Sequence, residues 1–298
     1  MPARFSIVVP TLNSRLMLLE ALASVRQQAW PDTEIIVVDG GSTDGTVETV
    51  AQMKDIRLLP GPDRGVYDAL TKGFAAATGA IIGLLGSDDA YEAGVFAAVA
   101  QAFGEHPQAD AVCGGAILVN ENGVIETYNA ESDKTLATPR PIFIGACIPN
   151  ARFFRREAAH RVGDFRYDYR FVGDRDWLAR FYKLGLVTVA LPDVIYRYRQ
   201  HPGSLTFGKD PVRQHAIREE LLRLAREWRA DPTVPEDLRH FAGLLEGRCT
   251  SWLIGAAIRR GDWVKVARLS THSGRGFWPL PAATMLRSAL DVARQRLG

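Results

Sequence analysis

The chain has 298 residues, enough for one large α/β core plus a smaller appendage. Hydrophobic residues at 47% and charged residues at 23% are ordinary globular values, and with no low-complexity tract or fixed-period repeat disorder is not expected over most of the chain. The net charge of +2 hides an asymmetry: residues 211–298 hold 15 Lys and Arg against 9 Asp and Glu, leaving 21 against 25 in residues 1–210. An acidic first part suits a divalent cation, and a basic second part suits either a solvated helix face or a phosphate-rich surface.

Phe5-Ser-Ile-Val-Val-Pro10 predicts a strand, followed by a helix through Leu16, Leu19, Leu22 and Val25 that Asn13 or Ser14 caps. Glu34–Asp39 repeats the pattern, with Gly40-Gly-Ser-Thr-Asp-Gly45 leading into a helix that Ser42 caps. A third strand is expected at Ile56–Leu59, a helix at Val66–Ala77, a fourth strand at Ala80–Leu85 and a helix at Ala93–Gly104. Strands and helices alternating at this length predict a mostly parallel sheet with helices on both faces. The pattern then changes: Ala111–Val119 and Val124–Tyr128 flank a hairpin turn at Asn120-Glu-Asn-Gly123, so the sheet becomes mixed. A helix with Trp177, Phe181 and Leu184 on one stripe and a strand over Val194–Arg199 complete a domain placed at 1–209. Residues 210–298 read as a helical extension, broken at Asp231-Pro232, Val234-Pro235 and Ser273–Pro281. Within it Leu286, Leu290, Ala293 and Leu297 form a stripe beside Arg287, Arg294 and Arg296, suited to packing, dimerisation or a membrane surface.

Cys113, Cys147 and Cys249 are odd in number and widely spaced, which points to neither a disulfide framework nor a zinc site. With no basic leader before Phe5 and no apolar run near ~18 residues, a cytoplasmic location is expected, at most peripheral to a membrane. No nucleic-acid partner is expected.

Ligands of open parallel α/β sheets sit beyond the carboxyl ends of the strands, where loops converge and helix N-termini point. The residues there are Thr11, Asp39, Asp63 and Ser87-Asp88-Asp89. Two adjacent carboxylates at the end of a buried strand repel and resist desolvation unless a cation or donors offset them. Mg²⁺ or Mn²⁺ binds such sites through one or two carboxylates, with phosphate oxygens completing the shell. The plainer alternative is a solvated pair capping the next helix.

Ile7-Val-Val-Pro-Thr-Leu-Asn13, Ile36-Val-Val-Asp-Gly-Gly-Ser-Thr-Asp-Gly-Thr46, Asp63-Arg-Gly-Val-Tyr-Asp-Ala69 and Leu85-Gly-Ser-Asp-Asp89 resemble, in order and spacing, the family 2 glycosyltransferases of the GT-A fold. The match spans about residues 5–205, and the third motif is similar to D-x-G-I-Y-D-A-M-N-K-G of bacterial members that build surface polysaccharides. The resemblance implies a Rossmann-like GT-A domain that inverts the sugar's configuration on transfer from a nucleotide sugar, UDP by family frequency, to a saccharide or lipid-linked saccharide. A hexosyl or N-acetylhexosaminyl group is the expected cargo. Pro10, Thr11, Asn13, Asp39, Asp63, Arg64, Ser87 and Asp88 would line the nucleotide site, and Asp88, Asp89 and His201 would hold Mg²⁺ or Mn²⁺. Gly173-Asp-Arg-Asp-Trp177 resembles the family's E-D-x-D-L segment, so Asp174 falls on the general base, with helix capping as its alternative role. Arg197-Tyr-Arg-Gln-His-Pro-Gly-Ser204 is similar to a Y-R-x-H-x-x-S loop that closes over the pyrophosphate, which brings in Arg199; Asp176 is grouped with this acceptor side. Thr71 replaces the motif's Asn, Gly86 stands where many relatives have Asp or Asn, and Gly173 replaces Glu.

A Rossmann oxidoreductase would need G-x-G-x-x-G after the first strand, and that is missing. A nucleotidyltransferase would begin with a Gly-rich, Arg- and Lys-bearing loop that Pro10-Thr-Leu-Asn-Ser14 lacks. A non-catalytic nucleotide-sugar-binding protein remains the third alternative, against which Asp88, Asp89 and Asp174 count.

Overall fold

The computed structural model describes residues 3–128, 138–145, 148–205 and 210–272. In chain order it contains β1 (Phe5–Thr11), α1 (Arg15–Arg26), β2 (Thr33–Asp39), α2 (Thr46–Ala51), β3 (Ile56–Pro60), α3 (Val66–Ala76), β4 (Ile81–Leu84), β5 (Ala90–Tyr91) and α4 (Val95–Glu105). There follow β6 (Ala111–Asn120), β7 (Gly123–Tyr128), α5 (Pro139–Phe143), β8 (Arg152–Arg155), α6 (Arg156–Val162), α7 (Gly173–Lys183), β9 (Thr188–Arg199), α8 (Pro211–Ala230), α9 (Glu236–Arg260) and α10 (Trp263–His272). The chain divides into two compact units, Met1–Gly208 and Lys209–Gly298.

The first unit is built on one sheet in the order β3-β2-β1-β4-β8-β6-β9-β5, with β7 paired to β6. Strands β3, β2, β1 and β4 are parallel neighbours. β1, β2 and β4 are continuous apolar runs, as strands covered on both faces must be. β8 then enters antiparallel between β4 and β6, so the sheet becomes mixed. Pro10, which has no N–H, lies past the point where β4 stops pairing with β1 at Val8↔Leu84.

Helices cover both faces. Phe5, Ile7 and Val9 point into a core shared with Leu18 and Leu22 of α1 and Phe96 and Val99 of α4. Phe5 stacks on Phe96 at 4.6 Å between ring centroids and meets Phe153 edge-on. Val8 faces the other way, against α3, where Gly73 lets the helix lie directly on the strand. On that side Phe74 of α3 and Phe154 of β8 pack around Trp177 of α7. Trp177 and Phe181 are buried as the helical stripe requires, while Leu184 is exposed.

β5, β8, α5 and α6 have no counterpart among the elements that the sequence predicts. β8, Arg-Phe-Phe-Arg, is four residues long and flanked by charge, so it carries no readable periodicity. Two predicted caps are corrected. Gly45, not Ser42, precedes α2, and Ser14 precedes α1 without a side-chain cap, because both hydroxyls are used between loops. The predicted turn before Gly123 does form, joining β6 to β7.

The second unit is helical. Asp210 caps α8 by accepting from the N–H groups of Val212 and Arg213, with Pro211 in the first turn. Leu221, Leu224 and Ala225 of α8 and Leu238, Leu245 and Cys249 of α9 form its buried apolar set. Glu246, buried, takes Arg226 at 3.0 Å and Arg229 at 2.7 Å. Helix α9 ends at Gly261 in the left-handed region, φ +72, a break that the sequence reading did not place. The predicted break at Ser273–Pro281 and the Leu286–Leu297 stripe lie outside the described residues, as does Cys147; Cys113 and Cys249 are free thiols. No helix among the described residues is long and apolar enough to cross a membrane.

Candidate active site

The ends of β1, β2 and β4 and the loop after β9 are tied to one another by side chains. The Thr11 and Ser14 hydroxyls lie 2.8 Å apart, and Ser14 donates to Ser87 at 2.8 Å, joining the loops after β1 and β4. Asn13, in the left-handed region at φ +50, accepts from the Thr43 N–H at 2.8 Å, and its own N–H donates to Ser42. That joins the loops after β1 and β2. Pro10, half-buried, continues this rim.

Asp39 is fully buried at the end of β2. Its Oδ1 accepts from the N–H groups of Gly41 and Ser42 at 2.9 and 2.8 Å, and its Oδ2 is buried with no hydrogen-bond partner among the described residues. An orphaned carboxylate oxygen is costly, so the geometry suits a ligand N–H at that place. Asp63 lies alongside: its carboxylate fills the space where a Gly40 side chain would start, and it accepts from the Gly65 N–H at 2.8 Å. Arg64 lies over the ring of Tyr167, 3.7 Å from its centroid, and also reaches Asp68. Asp68 is held on α3 by the Arg64 N–H and Lys72.

Asp88 and Asp89 are adjacent in sequence but have different surroundings. Asp88 Oδ2 lies 2.9 Å from His201 Nε2, and both side chains are partly exposed. Asp89 is turned inward and is 2% exposed. Its Oδ2 accepts from the Tyr196 hydroxyl at 2.6 Å and its Oδ1 from the Arg199 N–H at 2.8 Å. Tyr196 is committed to this orientation because its oxygen already accepts from the Gly86 N–H and from Asn150. Burial, and then the neighbouring Asp88 charge, push the Asp89 carboxyl up to about 8.

Both oxygens of Asp89, one of the acids expected at a metal, accept from these donors, and its side chain is withdrawn from solvent. Asp88 and His201 are the pair brought together. Gly86 follows from the same arrangement, since a Cβ there would collide with the Asp89 carboxylate and come within 2.9 Å of Asp88 Oδ1. Among the described residues no cluster of three or more His, Cys, Asp or Glu forms a complete metal cage. A carboxylate and an imidazole facing each other nevertheless fit a divalent cation that draws its other ligands from phosphate and water.

Asp174 is in the first turn of α7. Its Oδ1 accepts from the Tyr67 hydroxyl at 3.0 Å and from the Arg175 N–H at 2.9 Å. Its surroundings exclude enough water that desolvation raises its pKa, against the pull of Arg175 and the Tyr67 hydrogen bond. By surface area the residue as a whole is half-buried.

Asp176 sits in the same first turn of α7. It is 2% exposed and bonds Arg180 at 2.9 Å, with Arg166 at 4.0 Å, so it anchors α7 instead of facing an acceptor. Arg199 divides its contacts: its backbone serves Asp89, while its guanidinium reaches Glu20 at 2.6 Å. Thr71, in place of the usual Asn, accepts from the Phe165 N–H and so links α3 to the segment before α7. Tyr67, Tyr196 and Asn150 escaped the sequence reading. Tyr67 lies inside a quoted motif, and its hydroxyl was the available signal; Tyr196 and Asn150 carry none without the fold.

A family model described as glycosyl transferase family 2 matches residues 6–163, more than half of the chain. The chain belongs to glycosyl transferase family 2. A PGL/p-HBAD biosynthesis glycosyltransferase of Mycobacterium tuberculosis is 34% identical over 206 residues, 67% of this chain and 78% of the relative. The glycosyltransferase EpsJ of Bacillus subtilis, uncharacterized, is 27% identical over 67% of this chain and 62% of its own length. Among solved structures, residues 1–349 of TarS from S. aureus in complex with UDP superpose with a TM-score of 0.61 at 19% identity, covering 83% of this chain and 70% of that one. The mannosyltransferase PcManGT from Pyrobaculum calidifontis, in complex with GDP-Man and Mn²⁺, gives 0.59 at 20% identity over 98% and 81%. At these identities the likeness concerns the fold, which is GT-A. The family 2 chain is thus a glycosyltransferase with its polar loops at the carboxyl ends of its parallel strands.

Proposed function

We propose that the chain transfers a sugar, a hexose or N-acetylhexosamine, from a nucleotide diphosphate sugar to an acceptor hydroxyl with inversion at the anomeric carbon. The carrying observation is Asp174: a half-buried residue whose carboxyl is raised in pKa by desolvation and is held at Oδ1 by Tyr67 and the Arg175 N–H. A base placed in this way takes the acceptor's proton as the hydroxyl attacks the anomeric carbon. The bond from that carbon to the diphosphate breaks, and its electron pair leaves with the nucleotide.

Asp39 receives the nucleobase: its buried, unpartnered Oδ2 suits the imide N–H of uracil, which favours UDP over a cytosine or adenine nucleotide. Pro10, Thr11, Asn13, Ser87 and Asp63 with Arg64 border this pocket. Asp88 and His201 hold Mg²⁺ or Mn²⁺, which when bound offsets the charge of the departing diphosphate. The bound nucleotide sugars and Mn²⁺ of the structural neighbours are consistent with that assignment.

The acceptor is a saccharide or lipid-linked saccharide of cell-surface glycan or glycolipid synthesis, a reading supported by the name of the mycobacterial relative. It goes with a cytoplasmic enzyme that visits the inner membrane face through its basic second unit. Calorimetry with UDP, GDP and dTDP, each with and without Mn²⁺, tests the donor side. Mn²⁺-dependent binding of UDP is expected, and failure of all three nucleotides to bind contradicts the reading.

A further inference from the structure

We propose that Tyr67 is a positioning residue for Asp174: its hydroxyl fixes Oδ1, so that Oδ2 is the atom presented to the acceptor. This rests on the transfer reading above and assigns the geometry of its base. Tyr67 is the second residue of α3 and Asp174 the second of α7, so the bond of 3.0 Å spans 107 positions of the chain and locks two helix starts together. Oδ1 is saturated by Tyr67 and the Arg175 N–H, and no described residue donates to Oδ2.

The hydroxyl arrives in place because the ring has nowhere else to go. Tyr67 is 7% exposed and stacks on Phe165, which stacks on Trp177 with ring planes 15° apart. The Phe165 backbone is in turn tied to Thr71 of α3. Gly173 completes the device. A Cβ there would lie 2.8 Å from the Tyr67 ring and 2.8 Å from the Arg166 carbonyl, so the ring can cross the start of α7 only because the residue before Asp174 has no side chain.

The transfer is balanced in the usual way: the acceptor oxygen bonds the anomeric carbon as its proton passes to Oδ2, and the diphosphate leaves with the electron pair of the broken bond. Two groups act electrostatically on Asp174, Arg175 from its own helix and Tyr67 from α3. The Arg175 guanidinium is directed to the carbonyls of Pro141, Ile142 and Gly145, which leaves Tyr67 as the side-chain donor. A donor to the charged form favours ionisation, so its removal moves the acid limb of turnover to higher pH.

The test uses the full chain with Mn²⁺ and the nucleotide sugar that it cleaves in a UDP-, GDP- and dTDP-sugar panel, reading nucleotide release. Tyr67→Phe is expected to lower kcat about 10- to 100-fold, the cost of a misplaced group, with KM for the donor unchanged and the acid limb shifted upward. Added to Asp174→Asn it should lower the rate no further. Gly173→Ala, which displaces the hydroxyl without removing it, should lower kcat in the same direction. A ¹³C NMR titration should show the Asp174 carboxylate ionising at higher pH in Tyr67→Phe. Unchanged kcat and pH limb in Tyr67→Phe or Gly173→Ala, or an unmoved titration, overturns the proposal while Asp174→Asn remains inactive. Full turnover in Asp174→Asn overturns the transfer reading itself.

Discussion

The loop after β4 and the start of α7 each present acidic residues at the rim of the same unit, and the structure uses them in opposite ways. After β4, one of two adjacent carboxylates is consumed: Asp89 accepts from Tyr196 and Arg199, and only Asp88 faces His201. At α7, Asp174 is held at Oδ1 alone, while Asp176, two residues on, is consumed by Arg180. In both places an acid is sacrificed to fix the backbone that carries its neighbour. Which acid remains available is decided by which one finds buried donors, and adjacency in sequence says nothing about it.

The comparison is broken most forcefully at Asp174. Asp174→Asn should bind nucleotide and melt as the unaltered chain does, with transfer reduced by roughly 10²–10⁴-fold, because Asn keeps a hydrogen-bonding side chain but cannot take the proton. Turnover near normal would remove the base. Turnover in the unaltered chain should also rise with pH through the raised Asp174 pKa, since only the ionised form accepts a proton.

Asp176→Ala should show the complementary phenotype. Removing the Asp176 carboxylate leaves Arg180, 26% exposed, with the Val162 and Asp164 carbonyls as acceptors, and should cost about 1.5–3 kcal/mol of stability, visible as a fall in melting temperature. The fraction that remains folded should retain its donor KM.

Asp89 supplies a pH test of the consumed acid. Its folded-state pKa, near 8, lies above the ordinary 3.8, so the folded state holds a proton that the unfolded chain releases. That contribution is complete below about pH 4 and is lost as pH rises to about 8. Without a divalent cation the melting temperature should therefore fall across this window, and Asp89→Asn should flatten the fall. A pH profile identical in the two proteins would contradict the burial argument.

Smaller effects sharpen the picture. Gly86→Ala forces a methyl group onto the Asp89 carboxylate and should cost about 1–3 kcal/mol, and Gly86→Asp more. Arg199→Ala should change stability by no more than about 1 kcal/mol, because its guanidinium meets Glu20 at the surface. A large loss of nucleotide affinity in Arg199→Ala would return that side chain to the pyrophosphate.

Much of this architecture was legible in the residues. The apolar runs of β1, β2 and β4 and the turn before Gly123 announced a mixed, mostly parallel sheet, and strand ends located Thr11, Asp39 and Asp88. The pieces that were not legible are those made by long-range pairing. β8 is too short to show a period, and it is recruited by β4 and β6 from opposite sides. The inward turn of Asp89 depends on Tyr196, 107 residues away, and the hold on Asp174 Oδ1 depends on Tyr67 at the same separation. The three departures from the family motifs were visible as letters, but their contacts were not. Gly86 makes room for Asp89, Gly173 makes room for Tyr67, and Thr71 accepts from Phe165.

The most direct test of the account is calorimetric binding of UDP with and without Mn²⁺ to the unaltered chain, Asp88→Ala and Asp89→Asn. If Asp88 with His201 meets the cation and Asp89 only shapes the loop, the Mn²⁺ stimulation disappears in Asp88→Ala and persists in Asp89→Asn. Stimulation that survives in Asp88→Ala and vanishes in a folded Asp89→Asn would contradict the account.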